Sequence, residues 1–263
     1  MKLTYAAKAL LAGSAAIAIA RIGTAPAHLP STNKTAPEDS GFVGLSGKLK
    51  GPFFSYLTAR PFDAKVNGKI GRYLIGFWPG ERGRVKSKAY QNPSGFIEVT
   101  RENQDTRISE HFRLRDFLTK GQANTWPKYL VLREELVDKL ELVIADLKTR
   151  GVFVRHMTVM SGFRTPQYNG PGGDGRSGVS RHMYGDAADV FVDNDPNGRM
   201  DDLNRDGKVD HRDARVILES VERVERRYPT MAGGVGVYKA NSAHGPFAHV
   251  DVRGWRARWG LTG

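Results

Sequence analysis

The chain has 263 residues, no cysteine, 40 Lys and Arg against 28 Asp and Glu, and a formal charge of +12. That length supports one good core, or one core with a small accessory part; the missing cysteine excludes disulfide staples and thiolate-ligated metals. A basic balance suits an anionic surface such as a cell envelope, whereas nucleic acid is not expected, because no Lys/Arg-rich helix and no zinc-finger spacing is present.

In chain order, Lys2 and Lys8 precede an apolar run from Ala9 to Ala20, and Ala25-Pro26-Ala27 supplies a small-x-small site. Residues 1–27 therefore read as a secretory signal cleaved after Ala27. The run is short and Ala-rich for a spanning helix; an uncleaved anchor is the alternative, since Arg21 interrupts the path to the cleavage site. No later stretch is long and apolar enough to cross a bilayer, so the expected location is outside the cytoplasm, in the periplasm, the cell envelope or the medium. Residues 28–44, with Pro30, Pro37 and Gly41, read as a linker.

Residues 45–104 carry short β-type runs at Phe53–Leu57, Tyr73–Trp78 and Phe96–Val99, punctuated by Gly68, Gly71, Pro79-Gly80 and Pro93. They predict a small β-rich module whose aromatics form core rather than a stacking face. Its basic residues Arg82, Arg84, Lys86 and Lys88 permit contact with an anionic polymer, a solvated loop being the plainer reading. Ile108–Leu118 is expected to form a short helix. Leu130–Arg150 is the clearest helix, with Leu136, Leu140, Val143, Ile144 and Leu147 on one stripe and Gly151 as the stop. Strands are expected at Thr158–Met160, Ala187–Val192 and Ala248–Val252, with a Gly/Pro-rich loop from Thr165 to Gly178. A long helix followed by strands with polar residues at their ends predicts an α+β domain over 105–258.

Two stretches carry the chemistry. Alternation along a strand puts Ala187, Asp189 and Phe191 on one face and His249 with Asp251 on another. A carboxylate with such apolar neighbours needs a partner. His182 precedes Asp189 across a turn that Gly185 allows. If the strands converge, His182, Asp189 and His249 offer two imidazoles and a carboxylate around one ion, the set that leaves zinc an open position.

Together the stretches Ser161-Gly162-Phe163-Arg164-Thr165-Pro166, Tyr168-Asn169, Ser180-x-His182-x-x-Gly185-x-Ala187-x-Asp189 and Phe247-Ala248-His249-Val250-Asp251-Val252-Arg253 resemble the M15-type zinc peptidases. These are D-alanyl-D-alanine carboxypeptidases and related murein endopeptidases, which share a fold with the hedgehog signalling domain. The resemblance covers about residues 108–256. It implies an antiparallel sheet with flanking helices, zinc on His182, Asp189 and His249, and Arg164 as a grip for a substrate carboxylate. Some members carry a Glu three residues before the last zinc histidine, where this chain has Pro246; others carry a His-x-His pair, where it has His249-Val250-Asp251. The general base is therefore Asp251 or His244, and Asp251 is equally a carboxylate that supports a ligand. Peptidoglycan stem peptides are the implied substrate, with hydrolysis at a D-amino acid and terminal trimming or cross-link cleavage both open. A binding module without turnover is the alternative function. Oligomeric state is not legible.

An insertion over 193–228 has its own pattern. From Asp202 to Asp213, oxygen donors recur at Asp202, Asn204, Asp206, Asp210 and Asp213, with Gly207 at the sharp turn and Lys208 offering its carbonyl. This resembles an EF-hand calcium loop, and Asp in place of the final Glu makes it resemble a dockerin loop. A structural calcium is expected there, followed by a helix carrying Ile217, Leu218, Val221, Val224 and Tyr228 on one stripe.

Overall fold

The structure, a computed structural model, describes residues 57–83, 87–172 and 177–260. The expected signal at 1–27, the linker at 28–44, the run from Phe53 to Tyr56, and Arg84 and Lys86 lie outside the described residues.

The first elements are strands β1 (Ala59–Pro61), β2 (Lys69–Ile70), β3 (Tyr73–Leu74), β4 (Gly95–Val99) and β5 (Lys128–Leu130). β2 and β3 pair as a short hairpin, and β1-β4-β5 form an antiparallel three-stranded sheet. Trp78, Tyr73, Phe96 and Ile97 are fully buried in it, so the aromatics of this stretch are core. The expected module boundary at 104/105 runs through this sheet, because β4 on one side of it pairs with β5 on the other. Trp78 also donates its indole N–H to the Met183 carbonyl (2.8 Å). The β-rich stretch thus buttresses the turn that carries His182.

Helix α1 (Glu134–Thr149) buries Leu136, Leu140, Val143, Ile144 and Leu147, the predicted stripe, and ends where Gly151 takes a positive φ of 77°. It starts later than its periodicity suggests, because Lys128–Leu130 is claimed by β5 and the Arg133 N–H is held by the Gly185 carbonyl (2.8 Å). The helix expected at Ile108–Leu118 is reduced to a 3-10 turn at Leu114–Phe117. Its earlier half is committed elsewhere: Arg107 and Arg113 form a bridge, and the His111 N–H donates to Glu141 (2.8 Å).

The remaining elements are β6 (Met157–Ser161), the single-turn α2 (Pro166–Asn169), β7 (Ala187–Val192), α3 (His211–Arg227), β8 (Gly234–Tyr238), β9 (Phe247–Asp251) and β10 (Ala257–Trp259). They build a five-stranded sheet in the order β10-β8-β9-β7-β6, antiparallel except for the β10–β8 pair. α3 packs Ala214, Ile217, Val221 and Val224 into the same core as α1. The fold is mixed α+β with antiparallel sheets, as the sequence predicts. β8 and β10 are additional to that prediction.

The loop before α3 folds on its own hydrogen bonds. Asp202 accepts from the N–H groups of Asp206 and Gly207 (3.2 and 2.8 Å), and Asp206 accepts from Lys208 N–H (3.0 Å). Asp213, fully buried, accepts from Leu203, Asn204 and Asp210 N–H groups (2.8, 3.2 and 2.8 Å) and so caps the helix. Arg212 pairs with both Asp206 and Asp210 (2.7 and 2.8 Å). Asp202, Asn204, Asp206, Lys208, Asp210 and Asp213 thus shape a cap and a turn. The expected calcium is not supported: among the described residues, none of these carboxylates belongs to a group of three with ligand atoms within 4.8 Å of one another.

Candidate metal centre

β7 and β9 lie side by side at the centre of the five-stranded sheet, and their register sets Asp189 directly across from His249. His182 reaches the same point from the turn at Arg181–Tyr184. That turn closes on Gly185 at φ 67°, where an added Cβ would lie 2.4 Å from the Val131 carbonyl oxygen, so both the backbone conformation and the close approach require glycine. Arg181 anchors the turn: it pairs with the buried Asp186 and donates to the Ala89 carbonyl (2.5 Å).

Each imidazole has one nitrogen fixed from behind. His182 Nδ1–H donates to the Gly162 carbonyl (2.7 Å), and His249 Nε2 faces Asp251 Oδ2 (3.2 Å). Their other nitrogens converge with Asp189 Oδ1: His182 Nε2 is 3.2 Å and His249 Nδ1 is 2.9 Å from it, and the two nitrogens are 3.2 Å apart. A tetrahedral zinc with the usual bonds of about 2.0–2.1 Å separates its ligands by about 3.3 Å, close to these spacings. Among the described residues this is the one group of three His, Cys, Asp or Glu with ligand atoms within 4.8 Å of one another. The three residues are buried, at 2, 4 and 7 % exposure for His182, Asp189 and His249. The nitrogen-oxygen donor set and the fixed tautomers therefore fit zinc.

The charges are arranged for a cation. Burial works against ionising Asp189, yet the His182 and His249 hydrogen bonds outweigh it and hold the carboxyl well below its usual range. Burial lowers the His182 pKa. Burial also opposes charge on His249, but hydrogen bonds to Asp189 and Asp251 overcome this and lift it to about 9. Arg164 donates to Asp189 Oδ2 (2.6 Å) and to Ser161 Oγ (2.8 Å), which leaves Oδ1 for an ion. The guanidinium expected to grip substrate is thus engaged first with a metal ligand.

Asp251 is set behind His249 rather than in front of it. It has no exposed surface and accepts from the Gly234 N–H (2.7 Å) and from Arg253 Nε and Nη2 (2.9 and 2.5 Å), as well as facing His249. A carboxylate so enclosed orients its histidine and is out of reach of substrate, which removes the general-base role from Asp251. His244 instead lines the open cleft, with Nδ1 on the Gly245 carbonyl (2.8 Å) and Nε2 beside Asn241 Nδ2 (2.9 Å).

The cleft has a volume of about 870 Å³, and His182, Asp189 and His249 are among the residues that line it. Toward β6 it is walled by Tyr90, Lys120, Tyr168 and Arg181; toward β8 and β10, by Tyr238, Phe247 and Trp259. Tyr238 and Phe247 stack at 4.5 Å, and the Trp259 indole N–H donates to Tyr238 Oη (2.8 Å). Sequence reading assigned none of Tyr238, Trp259 and Lys120 to the site. The aromatics stand on the two unforeseen strands, and a lysine on a loop carries no positional signal.

A buried two-histidine, one-carboxylate set that opens on a cleft within a mixed α+β fold is a candidate metal centre of the kind zinc hydrolases use. Residues 111–226 match the family model Peptidase M15. That span contains Arg164, His182 and Asp189 and ends before His249, and it supports a metallopeptidase of this family. No curated protein and no solved structure matches the chain.

Proposed function

We propose that this protein is an exported zinc peptidase that hydrolyses amide bonds at D-amino acids in peptidoglycan stem peptides. The observation that carries the reading is the convergence of His182 Nε2, Asp189 Oδ1 and His249 Nδ1 at 2.9–3.2 Å from one another in the lining of an open cleft. Zinc held there supplies Lewis acidity toward the scissile carbonyl and acidifies water. The chain's own residues do the rest. Asp251 and the Gly162 carbonyl hold the imidazoles in the ligating tautomer, and Arg164 keeps Asp189 turned. His244, the imidazole on the cleft wall that is outside the metal set, takes the proton at Nε2 once that atom releases the Asn241 amide, and returns it to the leaving amine. Trimming of a terminal residue and cleavage within a cross-linked peptide are both compatible with this cleft. The basic chain and the signal-like segment at 1–27 support a cell-envelope location.

A second reading, a wall-binding module without turnover, is favoured by one feature: among the described residues lining the cleft, Asp189 is the only carboxylate. Purified murein and defined stem peptides, incubated with the zinc-loaded chain and analysed by mass, separate the two readings. Cleavage that chelator abolishes and His182→Ala lacks is the expected result, and the product masses name the bond. A folded, zinc-loaded protein that leaves every substrate intact would refute the peptidase reading.

A further inference from the structure

Among the described residues, four Lys and Arg side chains line the cleft: Lys120, Arg164, Arg181 and Arg253. Three are committed to buried carboxylates: Arg164 to Asp189, Arg181 to Asp186 and Arg253 to Asp251. Lys120 is exposed and has no acidic partner among the described residues. Its position is nonetheless rigid. The preceding Thr119 is buried, donates its hydroxyl to the Phe163 carbonyl (2.9 Å) and accepts from the Thr165 N–H (3.0 Å). These two bonds bracket Arg164, so the backbone that presents Lys120 is riveted to the segment that holds Asp189. The following Gly121 lies close over the Tyr168 ring. Tyr168 and Val179, both partly exposed, line the same end of the cleft. An uncommitted ammonium beside an apolar and aromatic wall is suited to a short peptide segment bearing a carboxylate.

We propose that Lys120 is a specificity-determining residue that reads a free carboxylate on the substrate, on the β6 side of the metal centre. The catalytic form of the inference rests on the peptidase reading; its binding form does not.

The test uses the zinc-loaded full chain and two stem peptides that differ only in whether their internal carboxylates are free or amidated. KM and kcat are measured for both, and calorimetry gives Kd for both independently of turnover. The free-carboxylate peptide is expected to have a KM and Kd lower by about five- to tenfold, the scale of one charge-assisted contact open to water, with kcat unchanged. Lys120→Gln should erase the preference, Lys120→Arg should keep it, and Lys120→Glu should invert it. A preference that survives in Lys120→Gln, or equal binding of the two peptides by the unaltered chain, overturns the proposal. Carboxylate-dependent binding without cleavage would sink the peptidase reading and keep Lys120 in its role; cleavage that ignores the carboxylates would do the opposite.

Discussion

Replacing Asp251 by Asn separates the two roles that a carboxylate next to the last metal ligand can play. The side chain is fully buried, faces His249 Nε2 at 3.2 Å and accepts from Arg253 at 2.5–2.9 Å and from the Gly234 N–H at 2.7 Å. Asn keeps the shape but loses the charge that makes His249 a better donor to a metal, and it leaves Arg253 without its counter-ion. Loss of such a supporting partner weakens metal binding by about 10- to 100-fold, or about 1.4–2.7 kcal/mol. The broken ion pair costs the metal-free fold up to about 3 kcal/mol in addition. Competition with a chromophoric chelator measures the zinc affinity, and thermal unfolding of the metal-free protein measures the fold. With zinc in excess, turnover should largely return, because the proton-transfer group is elsewhere. A variant that holds zinc within threefold of the unaltered chain, yet turns over no substrate at any zinc concentration, would make Asp251 the base and refute this placement.

Three other perturbations test other parts of the structure. Asp138 on α1 is pushed up to about 6 by burial and by its neighbours Glu135 and Glu141. A carboxyl whose pKa is raised on folding costs stability as pH climbs from its ordinary 3.8 through about 6. Asp138→Asn should therefore stabilise by about 1 kcal/mol at pH 7.5, after allowance for water reaching the group, and by nothing at pH 3.5; melting curves that show the same gain at both pH values contradict the assignment. On β8, a Cβ at Gly236 would lie 2.1 Å from Trp259 Nε1. Gly236→Ala should cost about 1–3 kcal/mol and shift the tryptophan fluorescence as the ring leaves Tyr238, and an unperturbed spectrum would show that the ring does not sit there. Because the Arg212 guanidinium already pairs with Asp206 and Asp210 in the loop at 202–213, millimolar calcium should move Tm by less than about 1 °C; a rise of several degrees would establish the ion.

The parts of the fold that were legible are those with strong periodicity or a fixed spacing. The stripes of α1 and α3 read directly, because each places a continuous apolar face on the same core. The convergence of the candidate ligands was legible because alternation along β7 and β9 leaves Asp189 and His249 on defined faces, and Gly185 marks the turn that brings in His182. The depth of a side chain behind a face is not encoded by alternation, so Asp251 could be placed beside His249 but not assigned to its rear. β8, Gly234–Tyr238, escaped because its glycines argue against a strand; they are there because Asp251, Arg253 and Trp259 crowd that side of the backbone. The helix expected at Ile108–Leu118 failed for the opposite reason: its spacing is adequate, but Arg107 and Arg113 close a local bridge and His111 is held by the distant Glu141. The module boundary failed because sheet partners distant in sequence leave no compositional break.

The register that sets His249 opposite Asp189 has a consequence for the order of assembly. His249 lies 60 residues beyond Asp189 and 67 beyond His182, and α3 and β8 occupy the interval. An incompletely folded chain offers at most the nearby His182 and Asp189, too few to compete for a scarce cation. The third donor arrives only when the long connection has closed and β9 has paired on both of its edges, a slow, non-local event. An ion that needs all three donors would then be captured only after β9 has paired with β7 and β8.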